Sequence, residues 1–294
     1  MGFSILKYGS CVRGNSDRYS DKDILVVSEN FDELNLLKKY YSSLGWSVSA
    51  YTYSKLDYLS KNGYLFVKHL IDEGEIQLDY DNRLLNIFSD FRERLDYEEK
   101  LQESANFIDF VSEIPDNTIS YSWLCDNIYV TLRNFLIYKS AINKEFKFGY
   151  VDLISQLSKE GNISLQEEEL LLQLRVLKSC YRNNYDDIVP SKKYVENVTS
   201  LVNKLGLRVN LRFSDKLLSL DNVDFEKIES PYKKLRLLEL ILKDRNIDNE
   251  YLNKCIFNPQ MYATNKSIDK VYKKVIFTIK ELYSINNPCI IPKH

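Results

Sequence analysis

The chain has 294 residues, with 40 Lys and Arg against 42 Asp and Glu, a formal net charge of −2, and 44% hydrophobic residues. At roughly 150 residues per domain this length suggests about two globular units, and the near balance of charge excludes a global electrostatic pull toward nucleic acid or anionic lipid. Only two histidines, His69 and His294, exclude a His-rich metal centre, and five widely spaced cysteines (Cys11, Cys125, Cys180, Cys255, Cys289) with no Cys-x-x-Cys pair argue against a zinc site or a disulfide framework.

Such cysteine usage fits a reducing cytosol. The first residues show no small-residue cleavage pattern, and no apolar run approaches the ~18 residues of a membrane span. The expectation is a cytoplasmic protein.

In chain order, residues 3–8 form a short apolar strand that ends at Gly9-Ser10, and residues 23–28 (DILVVS) form a second. Residues 31–44 carry Leu34, Leu37, Tyr41 and Leu44 at helical spacing, with Gly45 as the stop, and residues 46–53 (WSVSAYTY) alternate as a third strand. Past about Arg92 the spacing becomes helical, over residues 101–111, 120–142, 150–157, 164–183 and 191–205, with Pro115, Gly161 and Pro190 as breakers. Ser164 and Glu167 make a capping box for the fourth of these. A brief β-like stretch (LRVNLRF, residues 207–213) precedes further helix punctuated by Pro231, Pro259, Pro288 and Pro292. The expected fold class is therefore α+β, with a small mixed-sheet domain over residues 1–92 and a larger all-α helical domain over residues 93–294, sub-divided near 206–222.

The most specific feature is residues 8–23, YGSCVRGNSDRYSDKD, placed between two apolar strands. Glycine lets backbone approach a phosphate closely, and a neighbouring hydroxyl and the amides of a following helix start supply donors. Asp21 and Asp23, two apart on a strand, project to one side and can hold a hard divalent cation through carboxylate oxygens.

This pattern resembles the DNA polymerase β-like nucleotidyltransferase superfamily, particularly its minimal members, whose motif runs Gly-Ser-x-x-x-Gly and then Ser-Asp-x-Asp before an apolar strand. Gly9, Ser10, Arg13, Gly14, Ser20, Asp21 and Asp23 match in type and spacing. The resemblance implies attack of an acceptor hydroxyl on the α-phosphate of ATP or another nucleoside triphosphate. It also implies Mg2+, or Mn2+ in its place, on Asp21 and Asp23, with Gly9, Ser10, Arg13, Gly14 and Ser20 on the nucleotide. Two-metal assistance needs a third carboxylate, which the superfamily carries on the strand after the helix; here that strand has Ser47 and Ser49 and no acid. Residues 63–79 supply Glu73 and Asp79 as candidates. Glu73 lies one helical turn after His69, so that the pair either works as acid and base or simply packs at the domain edge ahead of Gly74.

The helical half loosely resembles the substrate domain of kanamycin nucleotidyltransferase or a HEPN bundle. HEPN ribonucleases need an Arg followed by a His, and no His occurs between residues 70 and 293. Arg175, Lys178 and Arg182 share one helix face, which either meets the triphosphate or is plain solvated surface; Lys178 is the nucleotide-binding candidate among them. Arg133-Asn134 reads as a buried structural pair, and the Lys-rich patches at Lys233, Lys234, Arg236 and at Lys270, Lys273, Lys274 read as solvated helix surface.

The functional expectation is a nucleotidyltransferase moving a nucleoside monophosphate, AMP from ATP first, to a hydroxyl of a protein or RNA acceptor in a bacterial toxin-antitoxin or phage-defence setting. Asp21, Asp23 and Glu73 are its catalytic candidates. The alternative is a degenerate nucleotide sensor or binding subunit, with an aminoglycoside nucleotidyltransferase ranked behind both. The oligomeric state stays open.

Overall fold

The computed structural model describes residues 2–14, 17–94, 96–183, 185, 188–215, 227–245, 273, 276 and 277. Asn15, Ser16, Lys270, Lys274, Cys255, Cys289, Pro259, Pro288, Pro292 and His294 lie outside these residues, as does part of the sub-boundary placed near 206–222.

Strands β1 (Ser4–Tyr8) and β2 (Asp23–Val27) pair antiparallel, and β2 is followed by helix α1 (Phe31–Ser43) and strand β3 (Ser47–Tyr51), which pairs parallel to β2. A parallel partner needs a crossover, and α1 supplies it. Asn30 opens α1 by accepting from the amides of Asp32 and Glu33. Helices α2 (Tyr53–Lys61) and α3 (Leu65–Glu73) then lead to β4 (Glu75–Leu78), antiparallel to β1, and to α4 (Arg83–Ser89). The strand order is β3-β2-β1-β4.

The unbroken apolar run of β2 reflects burial on both faces. Ile24 and Val26 pack with Leu34 of α1, whereas Leu25 and Val27 pack with Leu56, Val67, Leu70 and Leu84 of the helices on the other side. The sheet is thus pinned between layers, and one end of it, where β1 stops and β2 starts, carries the motif loop.

The second part comprises α5 (Glu98–Ala105), β5 (Glu113–Pro115), α6 (Thr118–Ile142), α7 (Tyr150–Lys159), α8 (Leu165–Asn183), α9 (Lys192–Lys204), β6 (Arg212–Ser214) and α10 (Pro231–Asp244). Helix α6 is apolar nearly all round because its neighbours surround it; Trp123, Leu124, Ile128 and Leu132 are fully buried. Before α8 the capping box closes both ways: the Ser164 amide donates to Glu167 at 2.7 Å and the Glu167 amide to Ser164 Oγ at 3.3 Å. The β-like stretch is realised as β6, which pairs parallel to β5. The helix expected over 101–111 stops at Ala105, whose carbonyl accepts the Arg208 amide at 2.9 Å instead of continuing the helical ladder.

Packing corrects the expected surroundings of Arg236, Arg182 and Asn134. Arg236 is 1% exposed and, with Arg182, grips Asp126. The carboxylate of Glu239 lies 2.7 Å from Arg236 Nη1, closing a charge cluster inside the bundle. Arg182 leaves the face it shares with Arg175 and Lys178 because it sits about 10 Å further along the helix, at 1.5 Å per residue, under α6 and α10. Asn134 is exposed rather than buried, and Arg133 donates to the Phe148 carbonyl at 3.1 Å.

Candidate functional site

The register aligns Tyr8 of β1, Asp23 of β2 and Ser47 of β3 across the sheet. The loop between β1 and β2 therefore begins and ends at one place. Gly9 adopts φ +79°, and a Cβ there would stand 3.0 Å from Asp23 Oδ2. Only glycine satisfies both the left-handed backbone and the proximity of the acid. The loop's helix is a single 3-10 turn, Gly9–Cys11, and the amides of Val12 and Arg13 fold back on the Gly9 carbonyl at 3.1 and 3.3 Å. Side chains must therefore supply much of what an anion would bind. Ser10 Oγ ties the loop ends by donating to the Asp21 carbonyl at 3.4 Å. Gly14 is also left-handed, and a Cβ there would meet nothing within 4 Å among the described residues.

Asp21 is 61% exposed at its side chain and Asp23 is partly buried. Burial first, and then the negative charge of Asp21, push the Asp23 carboxyl above the usual carboxylate range, against a hydrogen bond from Ser47 and the nearby charge of Arg133. A divalent cation between the two acids would relieve that repulsion.

Helix α8 reaches this loop twice. Lys178, 9% exposed, donates from Nζ to Asp21 Oδ2 at 3.0 Å. Arg175 forks onto Asp17, Nη1 to Oδ2 at 2.7 Å and Nη2 to Oδ1 at 2.8 Å, and Nη2 also reaches Ser20 Oγ at 2.7 Å. Burial raises the Asp17 carboxyl, but the Tyr19 amide, Arg175 and Ser20 outweigh it and hold it below its ordinary value. Of the basic face read from sequence, two residues meet the motif and the third does not.

Arg13 pairs with Glu73, which also accepts from His69 Nε2 at 2.9 Å. The His69 ring stacks on Phe148 at 4.6 Å and meets Tyr8 edge-on at 5.4 Å. Burial pushes the Glu73 carboxyl up, and His69 and Arg13 more than reverse it. The Glu73 carboxylate thus stands behind Arg13, already engaged. Arg13 Nε is buried with no hydrogen-bond partner among the described residues. Asp79 caps α4, accepting from the Leu84 and Leu85 amides at 2.9 and 3.1 Å and from Ser4 Oγ at 2.9 Å, at the far end of β1 from Gly9. That is about 13 Å along the strand at ~3.3 Å per residue. Ser49 Oγ lies 2.9 Å from the Tyr8 hydroxyl.

Among the described residues no cluster of three or more His, Cys, Asp or Glu is placed to hold a metal ion. Asp21 and Asp23 are hard oxygen donors of the kind that fit one magnesium, which typically takes one or two carboxylates plus substrate phosphates and water. They do not complete a two-metal set. The orphaned Arg13 Nε and the Lys178 ammonium match phosphate oxygens. Sequence reasoning missed Asp17 and Arg133. Asp17, three residues before Ser20, carries the signature of a local side-chain turn; nothing in the helical periodicity marks Arg133 as facing the sheet.

Among the described residues no helix is long and apolar enough to cross a membrane. A search of curated proteins finds the protein translocase subunit SecA of Mycoplasmopsis synoviae (strain 53), 31% identical over 93 residues, which is 28% of this chain and 8% of that protein. The chain thus spans a small fraction of that relative. The family model for the nucleotidyltransferase domain matches residues 2–116, which include the whole sheet and the motif loop. The mixed sheet, the left-handed Gly9 and Asp23 opening β2 agree with that match: residues 2–116 carry a nucleotidyltransferase domain, consistent with the polymerase β-like superfamily.

Proposed function

We propose that the protein is a magnesium-dependent nucleotidyltransferase of the cytosol, moving a nucleoside monophosphate to a hydroxyl of a protein or RNA acceptor. The observation that carries this reading is the packing of Gly9 against Asp23 Oδ2, next to an Asp21 that both Ser10 and Lys178 reach. In the reaction, the acceptor oxygen bonds to the α-phosphorus, the bond from that phosphorus to its bridging oxygen breaks, and pyrophosphate leaves while the hydroxyl proton passes to water. Asp21 and Asp23 hold the cation. When bound, magnesium supplies charge neutralisation at the phosphate oxygens. Lys178 moves from Asp21 to the triphosphate, and Arg13, aimed by Glu73 and His69, donates from Nε to a phosphate oxygen. Glu73 in this account orients Arg13.

ATP as donor and a toxin-antitoxin or phage-defence setting rest on the resemblance to minimal nucleotidyltransferases. The acceptor class has a physical support. Asp17, Asp21 and Glu73 are each matched by a cation, to Arg175, Lys178 and Arg13. A polycationic aminoglycoside would need free carboxylates, so a macromolecular acceptor ranks first. Incubation with α-labelled triphosphates, magnesium and cell extract should label an acceptor and release pyrophosphate, and Asp21→Ala with Asp23→Ala should abolish both. No labelling with any of the four nucleotides would sink this reading.

A second reading is favoured by Ser47 and Ser49, which stand on β3 where the superfamily carries its third acid. A nucleotide sensor without turnover would bind triphosphate and magnesium tightly, release no pyrophosphate, and change its contacts between α8 and the motif loop.

A further inference from the structure

Arg175 is placed to act on the metal acids without touching them. Residues 17–20 form a tight turn in which the Tyr19 amide donates to Asp17 Oδ1 at 2.9 Å, the Ser20 amide to the Asp17 carbonyl at 3.0 Å, and the Asp17 amide to Ser20 Oγ at 2.9 Å. Asp21 follows directly. All three Arg175 bonds, at 2.7, 2.8 and 2.7 Å, go to the two side chains that build this turn. A planar guanidinium that grips a carboxylate bidentately and a hydroxyl besides has three of its five N–H donors, both of those on Nη2 included, committed to this turn. Lys178, one turn on, has a single contact with Asp21 that an incoming phosphate can replace.

The geometry points to Arg175 as a positioning residue: acting from the helical half through Asp17 and Ser20, it fixes the turn that presents Asp21 and Asp23 to a divalent cation. This rests on the proposed metal role of those two acids. It differs from phosphate binding by Arg175, the role its helix face would otherwise suggest. Removal of residues that orient the ligands of a metal lowers its affinity by about 10–100-fold. The helical half would thereby set the metal affinity of a site whose ligands lie wholly in the N-terminal part, Asp23 at the start of β2 and Asp21 not on that strand, as its spacing suggested, but in the loop before it.

The test uses the full chain carrying Arg175→Met, Arg175→Lys, Asp17→Asn, or Arg175→Met with Asp17→Asn. Three quantities are read: Mn2+ binding to the protein alone by loss of the free-ion spin-resonance signal, binding of a non-hydrolysable triphosphate without divalent metal, and amide hydrogen exchange. Arg175→Met should weaken Mn2+ about tenfold and speed exchange at Tyr19 and Ser20, leaving the amides of α6 unchanged. Asp17→Asn should move both readouts the same way, the double variant should be no worse than Arg175→Met, and Arg175→Lys should not restore the fork. Metal-free triphosphate binding should hardly change.

Opposite results overturn the inference. If Arg175→Met weakens metal-free triphosphate binding while Asp17→Asn strengthens it by freeing the guanidinium, Arg175 is a phosphate ligand. Unchanged exchange at Tyr19 and Ser20 refutes the clamp whatever the nucleotide does. Failure of the wild type to bind any triphosphate would count against the proposed function instead, and leave the exchange readout to decide on Arg175.

Discussion

Asp126→Asn strikes the group on which the helical half is organised. Asp126 is 1% exposed on α6 and accepts from Arg182 Nε and from Arg236 Nη2, each at 2.6 Å. Its replacement leaves the buried guanidinium of Arg236 with only Glu239, at 2.7 Å, and strips the half-buried Arg182 of its carboxylate. Breaking a buried pair by removing one partner costs about 3–5 kcal/mol, a large share of the ~5–15 kcal/mol of a typical fold. That is a fall in midpoint on the order of 10 °C for a chain of this size.

Trp123 is the natural reporter: it is fully buried and donates from Nε1 to the Arg236 carbonyl at 2.9 Å. With Trp46→Phe in the background, urea unfolding followed by its fluorescence isolates the helical half. The pH dependence has a definite sign. Burial pushes the Asp126 carboxyl up, but Arg182 and Arg236 bring it below its ordinary value. A depressed folded value means that its contribution is full above the unfolded carboxylate range, near 4, and is lost as pH falls through the folded value. The gap between wild type and Asp126→Asn should therefore be widest near pH 7 and close in acid. A gap under about 1 kcal/mol at pH 7, or one that does not narrow in acid, refutes an ionised Asp126 pinned by two arginines.

Two further changes probe the motif. Gly9→Ala forces a side chain into a left-handed position 3.0 Å from Asp23 Oδ2, so Mn2+ and triphosphate binding should fall more than about tenfold while far-UV circular dichroism stays near wild type; intact binding would contradict the close fit of the loop. Glu73→Gln weakens the hold on Arg13 and should raise the triphosphate dissociation constant several-fold, on the order of 1 kcal/mol, with Mn2+ affinity unchanged. If Mn2+ affinity falls with it, Glu73 acts on the metal itself.

Much of the sheet was legible because both of its constraints are local. The run DILVV marks an apolar strand, and Leu34, Leu37 and Tyr41 at helical spacing with Gly45 as the stop mark α1. The motif's acids and glycines follow from the same short segment. What escaped the sequence are the long-range pairings. Arg175 and Asp17 are 158 residues apart and Arg236 and Asp126 are 110 apart; periodicity places a residue on a helix face but cannot say which partner that face meets. Arg182 illustrates the limit, sharing the face of Lys178 yet turning to the buried Asp126 because the contact with the loop is only about one turn long. Arg133 shows the converse, an embedded helix residue whose charge reaches Asp23 across the junction.

The proposed function comes down to transfer of the α-phosphoryl group with its nucleoside, dependent on Asp21 and Asp23. It is tested most directly by parallel incubations with α-labelled and γ-labelled ATP, magnesium and cell extract, for wild type and for Asp23→Ala. Label should reach an acceptor from the α-position only, γ-label should leave as pyrophosphate, and neither should occur with Asp23→Ala. Acceptor labelled from the γ-position, or α-labelling that survives Asp23→Ala, would contradict it.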